Sequence, residues 1–147
     1  MTFQVVPFEP EHILQLDVQE AQRLTDDEQA RALAAPFGWA WTGMVDGVPV
    51  ACAGLVEVWQ GRAYAWALLA RTAGPWMAAI TRAVRRALKA STFDRIEMAV
   101  DAGFVAGQRW ALLLGFELET PRPLRRYLPG GRDAYRASAA EPFRFSR

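Results

Sequence analysis

The sequence predicts an α+β fold, a mixed, mostly antiparallel central sheet with helices on both faces. Three observations predict it. Three strand-like runs follow one another around an Asp-Gly turn, from Trp39 to Leu69. Two amphipathic helical stretches then alternate with a further strand, between Gly74 and Gly115. The chain has 147 residues, 52% hydrophobic and 22% charged, enough apolar side chain for one packed core of ordinary size.

Phe3 to Pro7 alternates weakly and reads as a first strand. From Glu9 to Val18, Ile13, Leu14 and Leu16 bracketed by acids suggest a short helix. Thr25-Asp26-Asp27-Glu28 has the form of a capping box, opening a helix that Pro36 stops after Ala35. Trp39 to Val45 and Val48 to Val58 flank Asp46-Gly47, a hairpin signal because a type I′ turn needs positive φ at both central positions. Gln60-Gly61 makes another turn, and Arg62 to Leu69 is the next strand.

Pro75 suits the first position of a helix, where its missing N–H costs nothing. Met77, Ile80, Val84 and Leu88 then form an apolar stripe, with Arg82, Arg85, Arg86 and Lys89 mostly opposite as a solvated face. Phe93 to Val100 is a strand, and Gly103 to Leu114 a second amphipathic helix capped by Gly115. Glu117 to Leu118 and Leu128 to Ala137 read as two last strands around a Pro- and Arg-rich link, with Pro129-Gly130-Gly131 as a tight turn. The order is β-α-α-β-β-β-α-β-α-β-β, with residues 1–137 as a single domain and 138–147 as a tail or docking arm.

Composition removes several functions. A formal net charge of +1 gives no overall field toward nucleic acid or membrane. No apolar run approaches the ~18 residues of a membrane span, and MTFQVVPFEPEH lacks the regions of a signal peptide. A cytoplasmic location is therefore expected. The single Cys52 forms no internal disulfide and reads as a small buried hydrophobe. With one His and one Cys, a metal site built on several His or Cys residues is excluded, and no metal is expected. A Ser-His-Asp triad would have to use His12, which reads as a surface residue at a helix start.

The element order resembles the GNAT (Gcn5-related N-acetyltransferase) family over nearly the whole chain. Three pieces carry the resemblance: the strand, loop and helix from Ala63 to Ser91, the helix ending Trp110-Ala-Leu-Leu-Leu-Gly-Phe-Glu117, and the hairpin at Asp46-Gly47. More narrowly, DAGFVAGQRWALLLGFELE and RRYLPGGRDAYRA are similar to small GNAT-like proteins of tailed bacteriophages, some of them described as internal virion proteins. The family resemblance implies acetyl-CoA as cofactor and an amine as acceptor. It also implies a pyrophosphate loop of pattern Arg/Gln-x-x-Gly-x-Gly/Ala. Such a loop needs backbone amides and a helix N-terminus rather than cationic side chains.

The matching stretch is Arg71-Thr72-Ala73-Gly74-Pro75-Trp76. Arg71 and Gly74 match, Pro75 has no amide to donate, and Trp76 replaces the last small residue. Leu69, Arg71, Gly74, Trp76 and Met77 are the cofactor-binding candidates that the resemblance implies. The family's frequent Tyr acid falls on Ala111 and its frequent Asn on Phe104. Glu57 and Glu97 are the candidate bases, and Tyr127 and Tyr135 the candidate replacement acids.

Two readings follow. One is an N-acetyltransferase with a degenerate cofactor loop. The alternative is a phage virion structural or accessory protein that keeps the fold without catalysis, placed in the host cytoplasm or the virion. The basic C-terminal end, with Phe143 and Phe145 among Arg136, Arg144 and Arg147, would then be an arm that docks on a virion or other protein partner.

Overall fold

The computed structural model describes residues 2–18 and 38–140. The described residues form a mixed α+β fold with an eight-stranded, mostly antiparallel sheet and three α-helices, as expected. The capping box at Thr25 and its helix to Ala35, and the tail from residue 141, lie outside the described residues. The chain divides into two compact units, Met1–Val56 with Ala65–Val84, and Glu57–Tyr64 with Arg85–Arg147. Two strands, β3 (Val48–Trp59) and β4 (Arg62–Leu69), contribute to both.

In the first unit, β1 (Phe3–Pro7) runs antiparallel to β2 (Gly38–Val45), with Phe3 opposite Val45 and Pro7 opposite Trp41. β2 turns into β3 through Asp46 (φ 50°) and Gly47 (φ 79°), the two left-handed positions that the Asp-Gly signal predicts. A bulge between Gly43 and Met44 shifts this register. A Cβ on Gly43 would lie 2.6 Å from the Phe3 ring, so the small residue there lets the first strand pack. Short α1 (Pro10–Gln15) lays Ile13 and Leu16 on Cys52, Leu68 and Ala70, with Phe8, Val18 and Trp66 at the margin. Gly74–Trp76 form a 3-10 turn that leads into α2 (Met77–Ala90), which belongs to this unit as far as Val84; along the helix Ile80 and Leu88 are buried and Arg82, Arg85, Arg86 and Lys89 are exposed.

His12 is a correction. It is buried rather than on the surface, with only 8% of its area exposed. It occupies the third helical position of a capping box, where the Glu9 carboxylate accepts from the His12 amide and Nδ1 accepts from the Glu9 amide at 3.1 Å. Thr42, buried opposite Cys52 in the β2–β3 ladder, places its hydroxyl 2.7 Å from the same Nδ1. Because the Glu9 amide can only donate, Nδ1 accepts and the ring proton sits on Nε2. A helix-start pattern with Glu in place of His would have signalled the box; a His there did not.

In the second unit, the start of β4 pairs parallel with β5 (Arg95–Asp101), from Arg62 opposite Arg95 to Tyr64 opposite Glu97. β5 runs antiparallel to β8 (Arg132–Ala140), from Arg95 opposite Ala140 to Asp101 opposite Ala134. β6 (Glu117–Leu118) and β7 (Leu124–Leu128) each pair antiparallel with β8. α3 (Val105–Leu114) ends as predicted on Gly115, left-handed at φ 106°, with the Phe116 amide reaching back to the Ala111 carbonyl.

The last strands differ from the sequence reading. Leu128 to Ala137 is not one strand: Gly130 (φ 79°) and Gly131 (φ 73°) turn the chain between Leu128 and Arg132 and divide it into β7 and β8. β7 is Leu-Arg-Arg-Tyr-Leu with no buried residue, so it carries none of the apolar alternation by which strands are recognised. β8 continues to Ala140, so Ser138 to Ala140 are paired sheet residues.

Candidate functional site

The loop after β4 is held from behind. The Ala70 amide donates to Val50 at 2.9 Å and the Arg71 amide to the Asp17 carbonyl at 2.9 Å. The Arg71 guanidinium lies 3.7 Å from the Asp17 carboxylate and 3.5 Å from the Val18 carbonyl, and is half exposed. Further on, the Ala73 amide bonds Ala70, the Trp76 amide bonds Ala73 at 2.8 Å, and the Met77 amide bonds Gly74. The 3-10 geometry thus consumes amides that an α-helical start would leave pointing outward. Among the described residues, the amides of Thr72 and Gly74 make no hydrogen bond.

Two properties of this helix start have no internal explanation. Its N-cap is Ala73, without a capping side chain, and no acid occupies the first turn. Gly74 adopts an ordinary negative φ, and a Cβ built on it meets nothing within 4 Å. Neither backbone strain nor packing requires glycine there. Leu69 is buried at the strand end, while Trp76 and Met77 are half-buried.

The two candidate bases sit in opposite environments. Glu57, third from the end of β3, is half-buried, and among the described residues its carboxylate makes no hydrogen bond or ion pair. Glu97 is buried on β5 at 3% exposure and is saturated. Arg62 donates to Oε1 from Nε at 2.7 Å and from Nη2. Arg95 donates to Oε2 from Nε at 3.2 Å and Nη2 at 3.0 Å, and Arg136 reaches the same oxygen. Burial pushes the Glu97 carboxyl up, but the hydrogen bonds from Arg62 and Arg95 and the charge of Arg136 hold it below the usual range. A carboxylate so held is a weaker proton acceptor, and its lone pairs are taken.

Ala111 is buried at 1% exposure in α3, and the Phe104 ring lies where a Cβ on Gly107 would come within 2.5 Å. Both positions serve packing. Tyr127 is exposed and Tyr135 half-buried. The sequence reading missed Tyr64. Its hydroxyl is pushed up mainly by burial, with a backbone hydrogen bond at Ala99 working against it. It missed the arginines around Glu97 as well. The signal was the i, i+2 pairs Arg62/Tyr64 and Arg95/Glu97, each sharing a face of its own strand, but only the β4–β5 register sets Arg62 opposite Arg95 and Tyr64 opposite Glu97.

No protein-family model and no curated protein matches this chain. Its fold, in contrast, matches solved structures along almost its whole length. Ard1 from Thermoplasma volcanium superposes with a TM-score of 0.77 at 13% identity, covering 95% of this chain and 98% of that one. The ribosomal-protein-S18-alanine N-acetyltransferase from Escherichia coli gives 0.73 at 14% identity, covering 93% and 92%. An acetyltransferase of the GNAT family from Streptococcus pneumoniae gives 0.64 at 11% identity, covering 95% and 99%. These likenesses establish architecture and supply nothing specific to a virion protein. The chain has the fold of the GNAT N-acetyltransferases.

Proposed function

We propose that this protein is an acetyl-CoA-dependent N-acetyltransferase. The observation that carries the reading is Gly74: a glycine with open space over its Cα and no conformational need, at an uncapped helix start. In a chain with this fold, such a glycine suits close approach by a ligand phosphate. The amides of Thr72 and Gly74 and the N-terminal end of α2 would hold the anion, with Arg71 at its edge. Pro75 and the 3-10 turn leave fewer donors than the family pattern supplies. Acetyl-CoA would bring the activated thioester.

The residues' own tasks are then positional and basic. Glu57, whose carboxylate has no partner among the described residues, would accept the proton of the acceptor ammonium. Glu97, saturated by arginines, would organise the strands around it. Ala111 offers no proton, so orientation of the two reactants would carry much of the barrier. Calorimetric titration with acetyl-CoA tests the reading. A saturable heat that disappears with Gly74→Val supports it, and no heat at millimolar ligand overturns it.

A further inference from the structure

A depression of about 480 Å³ opens at the start of β4 and β5, walled by Trp59, Arg62, Asp94, Arg95, Glu97 and Arg136. Three guanidinium groups converge there on one buried carboxylate, and one of them, Arg95, is shared with Glu119 at 2.6 Å. Glu97 needs no more than one bidentate partner to be neutralised. Its oxygens are saturated, yet each guanidinium carries five N–H donors in a fixed fork. Among the described residues, the Arg62 and Arg136 guanidinium groups donate to Glu97 and to no other acceptor, and the three side chains remain 24–34% exposed on the depression wall. Spare donors therefore face a solvent-filled hollow.

One wall is apolar. Trp59 is 61% exposed, and the Arg62 guanidinium lies 4.2 Å from its ring centroid. A tryptophan left this open at a hairpin end contributes little to a core. On the rim, the exposed Asp94 carboxylate makes no hydrogen bond among the described residues. It opposes an anion at the arginines.

We propose that this arginine-walled depression is a ligand site for small anions, carboxylates or phosphates, with an apolar or ring-shaped body lying along Trp59. Its lining residues all come from Glu57–Tyr64 and the chain from Arg85 onward, and none belongs to the loop assigned to acetyl-CoA. The shared chemistry is a delocalised oxyanion matched to guanidinium forks.

The test is an amide NMR titration of the full chain with sodium benzoate, sodium acetate and inorganic phosphate at fixed ionic strength. The signals read are Gly61, Arg62, Arg95 and the Trp59 indole. Saturable low-millimolar shifts confined to these signals are expected for benzoate or phosphate, and whichever binds tighter identifies the anion class. Asp94→Asn, an exposed substitution that leaves the network intact, tightens binding several-fold, and Arg136→Gln weakens it. Shifts that do not saturate overturn the proposal, and so does an Asp94→Asn affinity that is unchanged or weaker. Because Arg136→Gln can disturb folding, Asp94→Asn is the deciding variant.

Discussion

Arg95 and Glu97, two residues apart on β5, are joined by a two-pronged ion pair: Nε and Nη2 of the arginine donate to one carboxylate oxygen at 3.2 and 3.0 Å. With Arg62 and Arg136 on neighbouring strands, the pair ties β4, β5 and β8 through a single buried charge. Removing that charge leaves three arginines facing each other. Glu97→Gln is expected to destabilise the protein by about 3 kcal/mol, the low end for a broken buried pair because the arginines reach solvent. Urea denaturation at neutral pH checks this.

The same network predicts acid sensitivity. The folded-state Glu97 carboxyl titrates below its unfolded value, so its contribution is present above the unfolded value and is lost as pH falls through the folded one. Glu119 behaves likewise, held down first by Ser138 and then by Arg95. Stability measured by denaturant should fall as pH drops below roughly 4, the ordinary range for Glu. The fall should be shallower in Glu97→Gln.

Gly74→Ala separates binding from folding. The added methyl meets no protein atom and the φ suits alanine, so stability should be unchanged or raised by up to about 1 kcal/mol. Acetyl-CoA affinity should fall about tenfold, the size of one displaced charge-assisted contact. Thermal melting and calorimetry on the same sample read both.

Glu57→Gln should lower the acetyl-transfer rate by about 10²–10⁴-fold while leaving acetyl-CoA affinity unchanged. A pH–rate profile distinguishes this from a positional effect, because loss of a base removes the acidic limb.

The buried chain from Cys52 through Thr42 to His12 should be chemically silent. Burial outweighs the Thr42 hydrogen bond and pushes the Cys52 thiol up to about 11, so native protein resists alkylation at pH 8 and reacts once unfolded. His12→Ala leaves the Glu9 amide and the Thr42 hydroxyl short of an acceptor and should cost about 1–3 kcal/mol, seen as a lowered Tm.

The sequence by itself determined the local chemistry of this protein. Asp46-Gly47 determined the β2–β3 hairpin, Gly115 the end of α3, and the apolar stripe through Ile80 and Leu88 the buried face of α2, because each signal acts within a turn or two of chain. It also located the Arg71–Trp76 loop and marked Pro75 as a missing donor. Tertiary structure alone decided the rest. Glu57 and Glu97 read alike in sequence, and only strand register leaves one carboxylate without a partner among the described residues and gives the other three arginines from three strands. His12 is buried because Thr42, 30 residues away, supplies its partner. β7 exists through its ladder with β8, since its own residues bury nothing. In each case the deciding interaction joins residues that are distant along the chain, where neither spacing nor composition carries information.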